Sequence, residues 1–186
     1  MEEIIKLLKT TVEFDLENGP FITGGYALRL LEEYADWEPE DIDICCMNNA
    51  QFDNLKNILC SITEFYTEGK WHNNITGTWI VNGIKIDAGV TRHLTVEDRL
   101  AWNDFNLTAI AYDGKEFKMS EQIASDIKNR ILRINGALRL GNIKNNPNEN
   151  INVWIDRYYK YTNRKYKDTT GIIETLTQYR LDICGV

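Results

Sequence analysis

The sequence predicts an α+β domain in which a small mixed sheet is flanked by helices and followed by a short helical C-terminal unit. Three observations carry that expectation. Apolar residues recur at helical spacing over residues 2–16, 27–34 and 49–60. Short runs with strand character lie between and after them: Phe21-Ile22-Thr23, the alternation of Ile42 and Ile44 with Asp41 and Asp43, and the residues on either side of Asn82-Gly83. Both kinds of segment interleave along the chain with no visible repeat, which favours a modest sheet with helices packed on it.

Taken in order, the first helix is expected from Glu2 to about Leu16, with Ile4, Ile5, Leu8 and Val12 inward, until Asn18-Gly19-Pro20 breaks it. Phe21–Thr23 is a short strand that stops at Gly24-Gly25. Ala27, Leu28, Leu30, Leu31 and Tyr34 then form a second helical stripe, closed by Trp37-Glu38-Pro39. A strand around Ile42 and Ile44 leads to a helix over 49–60, with Phe52, Leu55, Ile58 and Leu59 on one side. Thr78–Val81 and Ile84–Asp87 read as a hairpin, because Asn82-Gly83 between two β-prone runs favours a type I′ turn. A short helix follows over Glu97–Asn103, then an apolar strand over Leu107–Tyr112, closed by Asp113-Gly114 and paired with Lys115-Glu116-Phe117. Ser120–Arg133 is a helix or turn. Asn145-Asn146-Pro147-Asn148 marks the expected boundary between a domain of residues 1–145 and a unit of residues 146–186, with a helix over Asn152–Lys165.

The 186 residues, 43% hydrophobic and 26% charged, suffice for a real core and exclude collagen-like, low-complexity and disordered classes. No apolar run reaches the roughly 18 residues of a membrane span. The start, MEEIIKLLKT, lacks the basic region and cleavage site of a secretory signal, so a cytoplasmic location is expected. Cys45, Cys46, Cys60 and Cys184 have the spacing of neither a zinc site nor a disulfide framework, and are expected as reduced, mostly buried thiols. His72 and His93 carry no partner pattern and read as surface or structural.

The net charge of −7 is unevenly divided. Residues 1–127 hold 10 Lys/Arg against 23 Asp/Glu, whereas residues 128–167 hold 10 against 2. The acidic part suits cations and the basic part phosphates, although basic residues also coat ordinary solvated helix faces.

Chemistry concentrates where a strand ends in Gly24-Gly25 and a later strand carries Asp41-Ile42-Asp43. Period-two alternation puts both carboxylates on one face, about 7 Å apart along the strand. Such a pair repels until a divalent cation neutralises it, and hard oxygen ligands suit Mg²⁺. Glycines after a strand let the backbone approach a ligand, with N–H groups at the next helix start facing phosphate oxygens. Each piece alone is commonplace: 13 Asp give about one Asp-x-Asp by chance. A third carboxylate, Asp87, ends the strand Ile84-Lys85-Ile86-Asp87, and three strand-borne carboxylates can hold two metals for in-line phosphoryl transfer.

Thr23-Gly24-Gly25-Tyr26-Ala27-Leu28 followed by Asp41-Ile42-Asp43 resembles the signature of the nucleotidyltransferase superfamily. The segment Val96–Asp113, with Glu97-Asp98, Trp102-Asn103-Asp104-Phe105 and Asn106-Leu107-Thr108-Ala109, resembles the "ED-x-L-x-R-R-D-F-T-I-N-A-L-A-Y-D" block. That block marks the head of CCA-adding enzymes and bacterial poly(A) polymerases. Ser125–Arg133 is similar to the same head's "GDL-x-N-K-x-I-R", and the blocks fall in order over about residues 20–135. Leu28 stands where the family has an arginine, with Arg29 next to it; Trp102-Asn103 replaces an arginine pair, and Thr108 stands for an asparagine. A later family motif is echoed only by Glu149 and the Trp154–Tyr161 run, with Arg157 and Lys160 as its basic survivors.

The resemblance implies a polymerase-β-like palm and metal-dependent transfer of a nucleoside monophosphate from an NTP to a hydroxyl. It implies two Mg²⁺ ions, with Mn²⁺ an alternative: Asp41 and Asp43 would hold both, and Asp87 would complete the site that activates the acceptor. Gly24, Gly25 and Tyr26, with Arg29, would serve the triphosphate; Asn103, Asp104 and Thr108 would face ribose or base; Arg157 and Lys160 would touch phosphate. An RNA 3′ end is the expected acceptor, with no membrane partner. A small-molecule or protein acceptor, and a nucleotide-binding module without turnover, stay open as alternatives. The roughly forty residues after Pro147 fall short of the family's neck, body and tail, so full CCA addition is not expected. The Trp154–Lys167 stretch interleaves aromatic and basic residues, which suits a single strand or nucleotide, or else an amphipathic helix with Trp154, Tyr158 and Tyr161 turned inward.

Overall fold

The computed structural model describes residues 2–32, 35–63, 65–71, 74–135 and 151–184. Tyr34, His72, Glu149 and the expected boundary at 145/146 lie outside them. The chain divides into two compact units, Met1–Leu100 with Ile110–Met119, and Ala101–Ala109 with Ser120–Val186.

The first unit is built on a seven-stranded mixed sheet. Its elements are α1 (Glu2–Thr11), β1 (Phe21–Thr23), α2 (Gly24–Leu31), β2 (Asp41–Cys46), α3 (Asn49–Cys60), β3 (Phe65–Trp71), β4 (Asn74–Val81), β5 (Ile84–Val90), α4 (Val96–Ala101, its last residue in the second unit), β6 (Ala111–Tyr112) and β7 (Phe117–Lys118). The strand order is β3-β4-β5-β2-β1-β6-β7, parallel between β2 and β5 and antiparallel elsewhere. β1 is buried along its length, consistent with its place inside the sheet. α3 turns Phe52, Leu55 and Leu59 inward, with the Phe52 and Trp79 rings 5.9 Å apart, and Asn48 caps its start by accepting from the Gln51 N–H at 3.0 Å.

The Asn-Gly hairpin forms as its chemistry requires. Asn82 and Gly83 take φ of 50° and 74°, pairing Val81 with Ile84 and Thr78 with Asp87. Two expectations change. α1 ends at Thr11 rather than near Leu16. The Thr10 and Thr11 hydroxyls donate back to the Leu7 carbonyl, and Asp15 Oδ1 accepts from the Glu17 and Asn18 N–H groups, which turns the chain. The apolar run Leu107–Tyr112 is a strand only at Ala111–Tyr112; Asn106–Thr108 is a 3₁₀ turn, stitched by the Thr108 hydroxyl to the Phe105 carbonyl at 3.0 Å. Its continuous hydrophobicity reflects burial: Leu107, Ala109 and Ile110 are all inaccessible. The strand β3 was not foreseen, since Thr67-Glu68-Gly69-Lys70 gives it little apolar signal and it pairs at the sheet's edge with β4.

The second unit holds the 106–108 turn, α5 (Glu121–Lys128, capped by Ser120), β8 (Ile131–Leu132), α6 (Ile151–Asn163), β9 (Lys167–Asp168) and α7 (Ile172–Cys184). β8 and β9 form a parallel pair that was not foreseen, and neither was α7. α6 buries Trp154, Tyr158 and Tyr161 and leaves Tyr159 exposed. Phe105 packs against Trp154 and Tyr161, with centroids 5.6 and 5.7 Å away. This is the inward-facing amphipathic helix, so those aromatics are core. Among the described residues no helix is long and apolar enough to cross a membrane.

Cys45 and Cys46 are buried free thiols, and burial pushes Cys46 up to about 12; Cys60 is free and exposed.

Candidate active site

The parallel β2/β5 pair builds the acidic centre. Its register sets Asp41 opposite Lys85 and Asp43 opposite Asp87. Because side chains alternate, Asp41, Asp43, Lys85 and Asp87 all project from one face. One carboxylate oxygen from each of the three aspartates lies within 4.8 Å of the others, all three half-buried. Three hard, anionic oxygens converging on one spot make a donor set suited to a small divalent ion.

Two further side chains organise this centre. The Thr78 hydroxyl, across the hairpin, donates to Asp87 Oδ1 at 2.6 Å. Lys85 Nζ reaches Asp87 Oδ2 at 2.5 Å and Asp41 Oδ2 at 3.2 Å. The hydrogen bond to Asp87 raises the lysine pKa above its usual value, against the opposing effect of partial burial. Neither residue was singled out from sequence, though both were legible: the Asn-Gly turn fixes the Thr78–Asp87 register, and Lys85 shares a face with Asp87 two residues on.

Thr23 pairs with Asp43 across β1/β2, and the chain turns straight into α2. Gly24 has φ of 72°, and a Cβ on it would overlap the Asp43 carboxylate, so only glycine fits. Gly25 differs, since a Cβ there would meet nothing within 4 Å. Thr23, at the helix start, gives α2 no side-chain cap. Tyr26 itself is buried. Arg29 donates from Nε to the Trp37 carbonyl at 2.9 Å and from Nη1 to the Glu32 carbonyl at 3.2 Å, which secures the segment after the helix. The structure thus brings together Asp41, Asp43, Asp87, Gly24 and Gly25.

The other expected site residues belong to the second unit. Asn103 Nδ2 donates to the Thr108 carbonyl, and Arg157 forms an ion pair with the buried Asp104 carboxylate. Lys160 lies one turn beyond Arg157 on α6. Asn106 and Asp126 are polar residues of consequence that were not assigned a role. Buried Asp126 accepts from Asn106 Nδ2 at 2.9 Å, Gln122 Nε2 at 2.9 Å and Arg133 Nε at 3.1 Å, while Asn106 Oδ1 accepts from the Arg133 N–H at 2.9 Å. This network fixes the 103–109 segment to α5 and β8.

No protein-family profile matches the chain, and neither does any curated protein. Solved structures do match. The Thermotoga maritima CCA-adding enzyme complexed with tRNA aligns over 96% of this chain with a TM-score of 0.68 and 18% identity. A CCA-adding enzyme in complex with CTP aligns over 98%, with the same TM-score and identity. A tRNA-processing enzyme in an apo form aligns over 95% at a TM-score of 0.65 and 18% identity. The chain spans 42%, 42% and 46% of those proteins, respectively. The fold resembles that of the CCA-adding enzyme head, in agreement with the sequence motifs.

Proposed function

We propose that the protein is a metal-dependent nucleotidyltransferase that moves a nucleoside monophosphate from an NTP to a hydroxyl acceptor, preferably an RNA 3′ end. The observation that carries this reading is the convergence of Asp41, Asp43 and Asp87 within 4.8 Å beside a glycine turn shaped around Asp43. The donor set fits Mg²⁺, with Mn²⁺ as an alternative, and two such ions would supply Lewis-acid charge neutralisation and a more acidic acceptor hydroxyl.

The chain's own residues do the rest. Asp41 and Asp43 would hold both cations and Asp87 the one on the acceptor side, its carboxylate oriented by Thr78. Backbone N–H groups of Gly24, Gly25 and Tyr26 receive the β- and γ-phosphates at the start of α2, while Arg29 secures the end of that helix. Asn103, Asp104 and Thr108 serve ribose or base, and Arg157 with Lys160 contributes positive charge toward phosphate. The ion pair to Asp104 means that Arg157 also orients that carboxylate.

The test is incubation of the protein with Mg²⁺, each labelled NTP in turn, and total RNA. Label in RNA, lost on chelation and in Asp41→Asn, is the expected result. Label in protein or a small product would move the acceptor to those classes. Nucleotide binding without transfer under any condition would leave a non-catalytic module and overturn the enzyme reading.

A further inference from the structure

Both oxygens of Asp87 already carry a donor. Thr78 Oγ1 sits 2.6 Å from Oδ1, and Lys85 Nζ sits 2.5 Å from Oδ2 while also reaching Asp41 Oδ2 at 3.2 Å. We propose that Lys85 is a tethered counter-cation of the triad, which competes with the divalent ion for Asp41 Oδ2 and Asp87 Oδ2 and so sets how much metal the centre requires. This inference rests on reading the triad as a metal centre.

The two donors on Asp87 differ in what a cation would do to them. The Thr78 hydroxyl is neutral and occupies Oδ1, the oxygen Lys85 does not touch, so it remains and orients the carboxylate. The Lys85 ammonium bridges Asp41 Oδ2 and Asp87 Oδ2, two of the triad's three carboxylates, and it carries like charge to any incoming metal. A small divalent ion binds carboxylate oxygen at about 2.1 Å, so a lysine within hydrogen-bond distance of those oxygens crowds the same space. Among the described residues its ion pairs are with Asp41 and Asp87; its side chain is 45% exposed, and a four-carbon stem lets the ammonium swing into water without unpacking the sheet. Lysine therefore suits a removable plug. With little metal present, it offsets part of the repulsion among three carboxylates; when metal enters, it withdraws. The register of two strands places it there, Lys85 opposite Asp41 and two residues before Asp87.

The experiment reads Mn²⁺ binding directly, from the electron paramagnetic resonance signal of free Mn²⁺ titrated into the whole chain without nucleotide. Wild type, Lys85→Met, Lys85→Gln, Lys85→Arg and Asp43→Asn are compared, each first checked by circular dichroism in chelator. Lys85→Met and Lys85→Gln should bind Mn²⁺ about tenfold more tightly than wild type, a factor scaled from the repulsion between a unit charge and a dication a few ångströms apart in a solvated site. Lys85→Arg should stay near wild type because it keeps the charge. Unchanged or weaker binding in the neutral variants, with wild type binding and Asp43→Asn not, would overturn the role of Lys85 and leave the metal centre standing. Absence of Mn²⁺ binding in every protein would overturn both. If Lys85→Met alone fails to fold, Lys85→Gln decides.

Discussion

Asp43 and Asp87 face each other across the parallel β2/β5 pair, one residue directly opposite the other in register. Like charges directly opposite on neighbouring strands destabilise a sheet, so this pairing is a local cost of the fold. Lys85 offsets part of it from the same face, and a bound cation would offset more. Gly24 completes the arrangement, because its missing Cβ leaves room for the Asp43 carboxylate.

The first prediction follows from that cost. Asp43→Asn removes one of three clustered charges while keeping the side chain's shape. In chelator its melting temperature should equal or exceed that of wild type, while nucleotidyl transfer falls by about 100-fold or more, the scale seen when a charge-stabilising group is removed from an active site. Retained turnover would remove Asp43 from the chemistry, and a large loss of stability without metal would make it structural.

The neighbouring glycines should separate folding from binding. Gly24→Ala forces a Cβ into the Asp43 carboxylate at a positive φ, which alone costs roughly 1–2 kcal/mol, so stability should fall along with activity. Gly25→Ala meets open space and should melt within about 1 kcal/mol of wild type, while NTP binding weakens because the new methyl lies where phosphate would approach. Equal stability losses in both variants, or normal NTP affinity in Gly25→Ala, would count against the glycine turn as a phosphate seat.

How far the sequence revealed this site depends on how local each signal is. The strand–glycine–helix turn, the Asp41/Asp43 face and the Asn82-Gly83 hairpin all rest on neighbours within a few residues, and each formed as read. The pairing of β2 with β5 joins strands some forty residues apart, so the reach of Lys85 to Asp41 had no local signature, although the face it shares with Asp87 did. The 107–112 run misled because apolar continuity marks burial in a 3₁₀ turn as well as in a strand. β3 and β9 are short or polar strands whose existence depends on a partner elsewhere in the chain. Asp104 and Arg157 were each picked out, yet their ion pair with one another is a tertiary fact.

A buried hub in the second unit gives the third prediction. Asp126 is 1% exposed and accepts from Asn106, Gln122 and Arg133. Asp126→Ala strips three donors of their acceptor at once. Breaking a fully buried pair costs about 3–5 kcal/mol, and since the Arg133 side chain is 37% exposed, roughly 2–3 kcal/mol is expected here. That corresponds to a melting temperature about 5–10 °C lower for a chain of this size. Asp126→Asn, which keeps one acceptor oxygen, should lose less; an unchanged melting temperature in Asp126→Ala would show that water replaces the network.

The last prediction concerns the acceptor and rests on the basic segment of residues 128–167. If RNA is the acceptor, its affinity must fall with salt, because each neutralised phosphate releases a counterion; single-stranded contacts contribute a slope near −0.7 each. That segment holds ten cations, but Arg133 already serves Asp126 and Arg157 already serves Asp104. Contacts from three or four of the remaining eight would give a log–log slope of about −2 to −3. Lys160→Ala should flatten that slope by up to about 0.7 and weaken all sequences alike, and Arg157→Ala should flatten it by less, since Asp104 already offsets part of its charge. The measurement is an RNA titration over a range of salt, with nucleotide held saturating so that the NTP's own salt sensitivity does not enter. A flat response, or no RNA binding at low salt, would make the basic segment a solvated surface and turn the search toward a small-molecule or protein hydroxyl.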